Sequence, residues 1–239
     1  MVTIPARFNG PDHSGNGGWV AGLIAEQVGA DVVTSTLRLP PPLDVPLTWE
    51  HDHHHEGGEV VRLLTAGGAV IGSAAPGSFL RDAPEPPTAE QAATGLAAYP
   101  GFDHHPFDHC FTCGTARAEG DGMRLFTGPI SDGRTAGPWT PHPALAGAAG
   151  HLDTPTTWAA LDCPGGWAAD FTQQTTVLGR MTAQVHRLPS AGEPCLAVGA
   201  LRGHEGRKFF TDTALWTVDG ELVGRSEQIW IQVDPTAFR

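Results

Sequence analysis

The sequence predicts an α+β protein made of two similar halves, each with a helix followed by antiparallel strands. Two observations favour this fold class. In both halves a segment with helical apolar spacing precedes β-branched segments that alternate with period two. The same landmarks also recur in the same order, which indicates an internal repeat. The matching pairs are Trp19 and Trp158, Leu37-Arg-Leu-Pro40 and His186-Arg-Leu-Pro189, and Val70-Ile-Gly72 and Leu222-Val-Gly224.

In the first half, a helix is predicted from Trp19 to Val28, with glycines before it and Gly29 as its stop. Strands are predicted at residues 32–39, 47–49, 60–65 and 69–72. The segment His51-Asp-His53-His54-His55-Glu56 lies where two of these strands would meet in a hairpin. Alternate histidines on a strand could bind a metal, but no carboxylate or cysteine partner is placed by spacing. A solvated strand end is therefore favoured.

In the second half, Thr154 as N-cap and Pro155 at the first helical position predict a helix that reaches Asp162. Strands are predicted at residues 181–187, 195–198, 209–218 and 222–233. The dipeptide Asp219-Gly220 is a strong hairpin-turn signal between the last two.

A linker is predicted between the halves. Its capping box, Thr88-x-x-Gln91, begins a short alanine-rich helix that ends near Tyr99. The predicted organisation is an N-terminal unit at 1–79, the linker at 80–108 and a C-terminal unit at 109–239.

Charge and hydropathy exclude several classes of protein. The 239 residues include 14 Lys or Arg and 26 Asp or Glu, for a net charge of −12, and Lys208 is the single lysine. Such a chain is a poor candidate for binding nucleic acid. No stretch approaches about 18 uninterrupted apolar residues, so no membrane span is expected. The chain start lacks the charged and apolar regions of a signal peptide, which favours a cytoplasmic location.

The four cysteines are Cys110, Cys113, Cys163 and Cys195, and a chain without a signal peptide is expected to keep them reduced. Cys110 and Cys113 form a C-x-x-C motif near histidines, a spacing that lets two thiolates face one zinc ion. A structural zinc site usually needs a second ligand pair at a defined distance, and none follows. The pattern therefore favours two thiols in a turn, and neither a metal nor another cofactor is predicted.

Two segments resemble thioesterase II, the bacterial acyl-CoA thioesterase family. Gly17-Gly18-Trp-Val-Ala-Gly-Leu-Ile-Ala25 is similar to the glycine pair and helix start of that family. Asp219-Gly-Glu-Leu-Val-Gly-Arg-Ser-Glu-Gln228 resembles its closing hairpin, which ends in an active-site glutamine. The resemblance implies a double hotdog fold, in which each unit is a helix wrapped by an antiparallel sheet. It also implies hydrolysis of acyl-CoA or related acyl thioesters.

In that family an aspartate, a serine or threonine, and a glutamine position the water that attacks the thioester. The resemblance places these roles on Asp162, Thr182 and Gln228. The chemistry agrees, since a carboxylate can accept a proton from water while a hydroxyl and an amide hold that water without adding charge. The N–H groups of Gly17 and Gly18 suit an oxyanion because no side chain blocks its approach.

Each of these residues also has a structural interpretation. Asp162 can cap a helix end, Thr182 can be an ordinary strand residue, and Gln228 can lie inside the sheet. Glu26, on the first helix, is a rival carboxylate.

The first half lacks an acid–amide pair of its own, because Leu23 corresponds to Asp162 and the Gln228 position falls near Pro76. One active site per chain is therefore predicted, built by the second half with a glycine-rich helix start from the first.

Binding of CoA phosphates is predicted for Arg180 and Arg187, although both can equally be ordinary surface residues. They belong to a basic group of five within 29 positions, completed by Arg202, Arg207 and Lys208. Two alternative functions stay open, namely an acyl-thioester hydratase or dehydratase and a non-catalytic acyl-CoA-binding protein. The hydratase needs an aspartate–histidine pair, for which His186 and His204 are the candidates in the second half. A monomer and a homo-oligomer are both compatible with the sequence.

Overall fold

The computed structural model of the chain describes residues 1–54, 58–234 and 236. Within these residues, the α-helices and strands in chain order are α1 (Gly17–Ala25), β1 (Val33–Leu37), β2 (Thr48–His54), β3 (Gly58–Leu64), β4 (Val70–Pro76), α2 (Ala89–Ala97), β5 (Gly128–Ser131), β6 (Arg134–Trp139), α3 (Thr154–Ala168), β7 (Thr176–Val185), β8 (Cys195–Glu205), β9 (Lys208–Thr217) and β10 (Leu222–Gln232).

The ten strands form one sheet in the order β2-β3-β4-β1-β7-β10-β9-β8-β6-β5, with antiparallel pairing between neighbours. Counted outward from the central β1–β7 pair, the first half runs β1-β4-β3-β2 and the second half runs β7-β10-β9-β8. The two halves thus have the same topology, as the repeat in the sequence predicts. Thr34 lies opposite Thr182 where the halves join.

All eight predicted strands are present, with ends that shift by a few residues. The hairpin of β5 and β6, which extends the second half, was not predicted. The strands β2 and β3 pair from Thr48 opposite Leu64 to His54 opposite Gly58, in agreement with the predicted hairpin. Its tip, at residues 55–57, lies outside the described residues. No helix of the described chain is long and apolar enough to cross a membrane.

Helices α1 and α3 pack against each other, and α3 also packs on the sheet of the second half. Glycines on α1 allow this close approach. A Cβ on Gly18 would lie 2.3 Å from Cβ of Asp162, and one on Gly22 would lie 2.7 Å from Cβ of Trp158. The buried core follows both helices, with Ile24 and Leu161 fully enclosed.

Helix α3 differs from its prediction at both ends. Its N-cap is Asp153, one residue before the predicted Thr154, and the Asp153 carboxylate accepts a 2.8 Å hydrogen bond from the N–H of Thr156. The helix continues through Pro164 to Ala168, although proline removes one hydrogen bond from a helix interior. Burial of nearly every residue on α3 sustains the helix beyond the proline, so Asp162 lies within it rather than at its end.

The linker contains α2 and, before it, a short segment that packs on the outer face of the sheet, which is the face that carries Asp212 and Glu227. The predicted capping box is confirmed, because the Thr88 hydroxyl accepts from the N–H of Gln91 and the Gln91 side chain accepts from the N–H of Thr88. Before α2, the guanidinium of Arg81 makes a bidentate ion pair with Asp212, whose side chain is almost fully buried. The backbone N–H groups of residues 80 and 81 donate to Glu227, so this segment is bound to the outer face.

Candidate active site

A pocket of about 290 Å³ lies where both halves and the linker meet. Its walls come from the loop before α1, the segment after β1, the end of the linker with the segment around Cys110, helix α3, the start of β7 and the end of β10. Most of its surface is apolar, and the large apolar side chains that line it include Leu37, Phe107, Phe171, Leu178, Trp230 and Ile231. An apolar pocket with a few convergent polar groups is typical of a binding site for a small molecule.

Asp162 is the acidic side chain in this pocket, and only 2% of the residue is exposed. Its Oδ2 accepts a 2.9 Å hydrogen bond from the N–H of Gly18, so the second half supplies the acid and the first half supplies the donor. Its Oδ1 is buried and accepts no hydrogen bond of normal geometry among the described residues, although the Asn16 side chain lies close enough to lower the pKa of the carboxyl. A buried carboxylate oxygen without a donor is costly, and this oxygen is therefore the atom most able to accept a hydrogen bond from a bound molecule.

Burial raises the pKa of Asp162 to about 8, and the hydrogen bond from Gly18 opposes this rise. Desolvation favours the neutral acid over the charged carboxylate. Once ionised, this carboxylate binds a proton more strongly than an exposed aspartate does.

The first turn of α1 faces the same pocket. Three of its N–H groups have acceptors: Gly18 donates to Asp162, Trp19 to the Asn16 side chain and Val20 to the Asn16 carbonyl. Gly17 lines the pocket, and no acceptor for its N–H is found in the described part of the chain. Of the two predicted oxyanion donors, Gly17 thus has a free N–H, whereas that of Gly18 is occupied by Asp162.

Thr176, at the start of β7, supplies a hydroxyl that the sequence analysis did not single out. It lines the pocket, it is 1% exposed, and its Oγ1 has no partner within the described residues. Its side chain and Asp162 are two buried polar groups with an unused atom in one pocket. The sequence offers no distinguishing signal for Thr176, because it lies in a run of polar residues before the strand.

The structure does not bring Thr182 and Gln228 to the same face of the sheet. Thr182 lies opposite Glu227 in the β7–β10 pairing, so Gln228, one residue on, points the other way. The Thr182 hydroxyl hydrogen-bonds to that of Thr34 at 2.8 Å, and neither lines the pocket. Side-chain alternation along a strand is the physical reason that the three predicted catalytic side chains do not converge.

Gln228 lies beneath α3, and both ends of its amide are engaged. Its Nε2 donates to the carbonyl oxygens of Leu161 at 2.6 Å and Asp162 at 3.2 Å. Its Oε1 accepts from the Thr211 hydroxyl at 2.9 Å and from the Trp230 indole N–H at 2.7 Å. This amide therefore holds the turn of α3 that carries Asp162, and it does not line the pocket.

The two arginines predicted to bind CoA phosphates lie outside the pocket, whereas a different arginine lines it. Arg187 is bound to two carboxylates, Glu193 and Glu221, and Arg180 is exposed and donates to the Thr36 hydroxyl. Neither lines the pocket, but Arg38 does, and no carboxylate within the described residues pairs with it. The sequence shows Arg38 only as a landmark of the repeat, in the segment 37–40.

Two other titratable groups bear on catalysis, namely Glu26, the rival carboxylate of the sequence, and His105, which the sequence did not indicate. Glu26 is the C-cap residue of α1, is exposed and does not line the pocket. His105, from the linker, does line it. Both of its ring nitrogens are engaged, since Nδ1 accepts from the N–H of Phe107 and Nε2 donates to the carbonyl of Cys113. Burial also lowers the pKa of His105, so the neutral ring is favoured.

Three cysteines also line the pocket, namely Cys110, Cys113 and Cys163. All three are buried and free, and their sulfur atoms lie within 4.8 Å of one another. Hydrogen bonds from the neighbouring thiols hold the pKa of Cys110 well below its usual value, whereas burial raises the pKa of Cys113 and of Cys163. No second ligand pair follows the C-x-x-C motif at a fixed distance in the sequence, and the third sulfur comes instead from Cys163 on α3, next to Asp162.

Comparison with solved structures shows similarity over nearly the whole chain. A hot dog fold protein of unknown function from Alicyclobacillus acidocaldarius is 14% identical, covers 98% of this chain and 92% of its own, and has a TM-score of 0.61. The TesB protein of Mycobacterium avium subsp. paratuberculosis is 14% identical over 97% of this chain and 91% of its own, with a TM-score of 0.60. The acyl-CoA thioesterase II TesB2 of Mycobacterium marinum is 12% identical over 93% of both chains, with a TM-score of 0.56.

No protein-family model and no curated protein matches the chain by sequence. At these identities the structural similarity establishes the fold, and the chain has the hotdog fold. Two of these three similar structures carry thioesterase or TesB names.

Proposed function

We propose that this chain is a double-hotdog enzyme that hydrolyses acyl-CoA or a related acyl thioester in the pocket beside Asp162. The observation that carries the proposal is the buried carboxylate of Asp162, which lines a mostly apolar pocket at the start of α1 and has one oxygen without a geometric hydrogen-bond partner among the described residues. The double form is supported by the strand order that recurs in the two halves. The two units correspond to residues 1–79 and 109–239, joined by the linker at 80–108.

In this proposal the apolar walls hold the acyl group and Asp162 orients the attacking water. As the water oxygen bonds to the carbonyl carbon, its proton passes to the ionised carboxylate of Asp162. The N–H of Gly17 and the hydroxyl of Thr176 donate to the carbonyl oxygen while negative charge develops on it. Collapse of the tetrahedral intermediate breaks the carbon–sulfur bond, and the departing thiolate takes the proton that Asp162 accepted from the water, so the products are a carboxylic acid and a thiol and the carboxylate is regenerated.

Gln228 acts in this scheme as a positioning residue. Its amide binds two carbonyl oxygens of α3, at Leu161 and Asp162, and so fixes the backbone that carries the acid. Thr182 has no direct part, since its hydroxyl pairs with that of Thr34 away from the pocket.

Arg38 is the basic residue that lines the pocket, and its guanidinium suits the phosphate groups of CoA. Arg187 is less suited to this task, because Glu193 and Glu221 already occupy its guanidinium. We therefore assign phosphate binding to Arg38 rather than to the predicted Arg180 and Arg187.

A non-catalytic acyl-CoA-binding protein is the second candidate, and the position of Thr182 and Gln228 outside the pocket favours it. A hydratase is less well supported, because both ring nitrogens of His105 are engaged and His186 and His204 do not line the pocket.

The test is release of free thiol from a panel of acyl-CoA esters, followed with a thiol reagent. We expect Asp162→Asn to lower kcat/KM by about 10²–10⁴-fold, the contribution of a positioned acid or base. Asp219→Asn, which changes an exposed aspartate in the β9–β10 turn, is the matched control and should keep the wild-type rate. Equal rates for wild type and Asp162→Asn would rule out the assigned base. Binding of CoA esters without thiol release by any variant would support the binding protein.

A further inference from the structure

The three pocket cysteines have the separation of ligands that share one metal ion. The sulfur atoms of Cys110 and Cys163 are 3.8 Å apart, and the sulfur of Cys113 completes a group within 4.8 Å. Two thiolates on one tetrahedral zinc ion, each at about 2.3 Å, are themselves about 3.8 Å apart. A disulfide needs a sulfur–sulfur distance of about 2.05 Å, so these sulfurs are not bonded to one another, and their spacing is compatible with ligands of one ion.

The turn that carries two of these cysteines is held rigidly. Gly114 follows Cys113, and its N–H donates to the carbonyl of Cys110 at 2.8 Å. A Cβ at Gly114 would lie 2.5 Å from that same oxygen, so only glycine fits this turn. The Tyr99 hydroxyl and the His105 ring both donate to the carbonyl of Cys113, at 2.8 Å and 3.1 Å. Such support is what keeps ligands of a metal site in place before the metal binds.

The third ligand comes from a different part of the chain. Cys163 is on α3, within the buried helix interior, and Asn16 at the start of α1 donates its amide to the sulfur of Cys110 at 3.6 Å. All three cysteines thus belong to the second half, and Asn16 of the first half and His105 of the linker contact the residues of the cluster. A neutral amide directed at a sulfur is a typical outer contact of a bound thiolate.

We propose that Cys110, Cys113 and Cys163 bind one Zn²⁺ ion, whose fourth coordination position faces the pocket. Three sulfur ligands favour a soft or borderline cation such as Zn²⁺ over Mg²⁺ or Ca²⁺. All three cysteines line the pocket, so a ligand in the pocket can reach the remaining position. Three protein ligands with one open position is the arrangement of zinc sites that bind exchangeable ligands. This site goes beyond thioester hydrolysis and does not depend on it.

The test is titration of Co²⁺, a spectroscopic substitute for Zn²⁺, into the reduced, metal-free full-length chain. We expect one equivalent to bind, with the thiolate-to-cobalt charge-transfer and visible bands of a tetrahedral site, and Zn²⁺ to displace it. Metal content of the protein purified from zinc-supplemented medium provides an independent measure, expected near one zinc per chain. Absence of thiolate charge transfer, together with zinc far below one per chain, would overturn the proposal.

Substitution of each cysteine separates this site from unspecific binding. We expect Cys163→Ser to weaken Zn²⁺ binding at least about 10-fold, the smallest effect usual even for partners outside the ligand set. Cys195→Ser is the matched control, because Cys195 is also buried and free but does not line the pocket, and it should bind zinc like wild type. Unchanged affinity in Cys163→Ser would contradict the assignment.

A measurement on the wild type alone guards against a variant that fails to fold. A thiol-modifying reagent is added to the zinc-loaded protein in the presence of a chromogenic chelator. We expect the metal to be released to the chelator as three thiols react. Zinc that stays bound after those thiols are blocked would exclude them as ligands. Because every readout here is metal or thiol content, a negative result leaves the proposed hydrolysis untouched, and a chain without thioesterase activity can still bind zinc.

Discussion

The N–H of Gly18 donates a 2.9 Å hydrogen bond to Oδ2 of Asp162, so the two halves of the chain meet at the candidate active site. The contact needs the two helices to cross closely, and only a residue without a side chain allows this at position 18. The Gly18 N–H therefore positions the acid, and in the proposed mechanism the oxyanion donor is the N–H of Gly17.

Gly18→Ala tests this helix crossing. The added Cβ would lie 2.3 Å from Cβ of Asp162 and 2.9 Å from the carbonyl oxygen of Trp158, so α1 and α3 must separate. We expect the free energy of unfolding to fall by about 1–3 kcal/mol, the usual range for overpacking a core. Chemical denaturation measures this. Gly29→Ala is the control, since a Cβ there meets nothing within 4 Å, and a similar loss in both variants would contradict the explanation.

Gln228→Met tests the positioning role of the amide. It keeps the length of the side chain but leaves the carbonyl of Leu161 and the indole N–H of Trp230 without this partner. The expected loss of unfolding free energy is about 1–3 kcal/mol, the cost of unsatisfied buried polar groups. Gln232→Met, on the same strand, should change stability little. Unchanged unfolding free energy and unchanged thiol release in Gln228→Met would contradict the positioning role.

Thr176→Val and Thr182→Val distinguish the two faces of β7. Thr176 lines the pocket with an unpaired hydroxyl, whereas Thr182 is hydrogen-bonded to Thr34 outside it. We expect kcat/KM for acyl-CoA to fall about 10²-fold in Thr176→Val, as when one oxyanion donor is removed. Thr182→Val should keep the wild-type value. The reverse order of effects would return the catalytic hydroxyl to Thr182.

The ion pair of Arg187 with Glu193 predicts a pH dependence of stability. Hydrogen bonds from Arg187 hold the pKa of Glu193 below its usual value, so the folded state binds this proton more weakly than the unfolded state does. The stabilisation is thus present above the unfolded pKa of about 4.3 and is lost as the pH falls through the folded pKa. We expect Glu193→Gln to lower Tm by about 2–4 °C near neutral pH, for about 1 kcal/mol in a chain of this size.

Thermal unfolding across the acid range checks this expectation. The difference in Tm between wild type and Glu193→Gln should shrink on acidification and vanish below the folded pKa. Glu205→Gln serves as the control, since Glu205 is exposed and forms no ion pair among the described residues. A Tm difference that stays constant with pH would show that the loss has another origin.

Most of the elements and their repeat follow from the sequence alone. Period-two alternation and β-branched content predict eight strands. The landmarks Trp19 and Trp158 indicate that the two helices occupy equivalent positions in the repeat. The capping box at Thr88 and the turn at Gly220 were also predicted, because these signals act between residues close in the chain. The hairpin of β5 and β6 was missed, since glycine and proline obscure its strand pattern.

The site itself was decided by tertiary structure. The resemblance to thioesterase II predicts Asp162 as the acid, but its hydrogen-bond partner Gly18 lies 144 positions away in the chain. Strand register, which local sequence does not specify, turned Thr182 away from Gln228. The position of α3 brings Cys163 next to the C-x-x-C turn, although Cys163 follows Cys113 by 50 residues in the chain. Local patterns thus determine which elements form. Which side chains share a pocket depends on how those elements pack, and this packing is decided by contacts between residues distant in sequence.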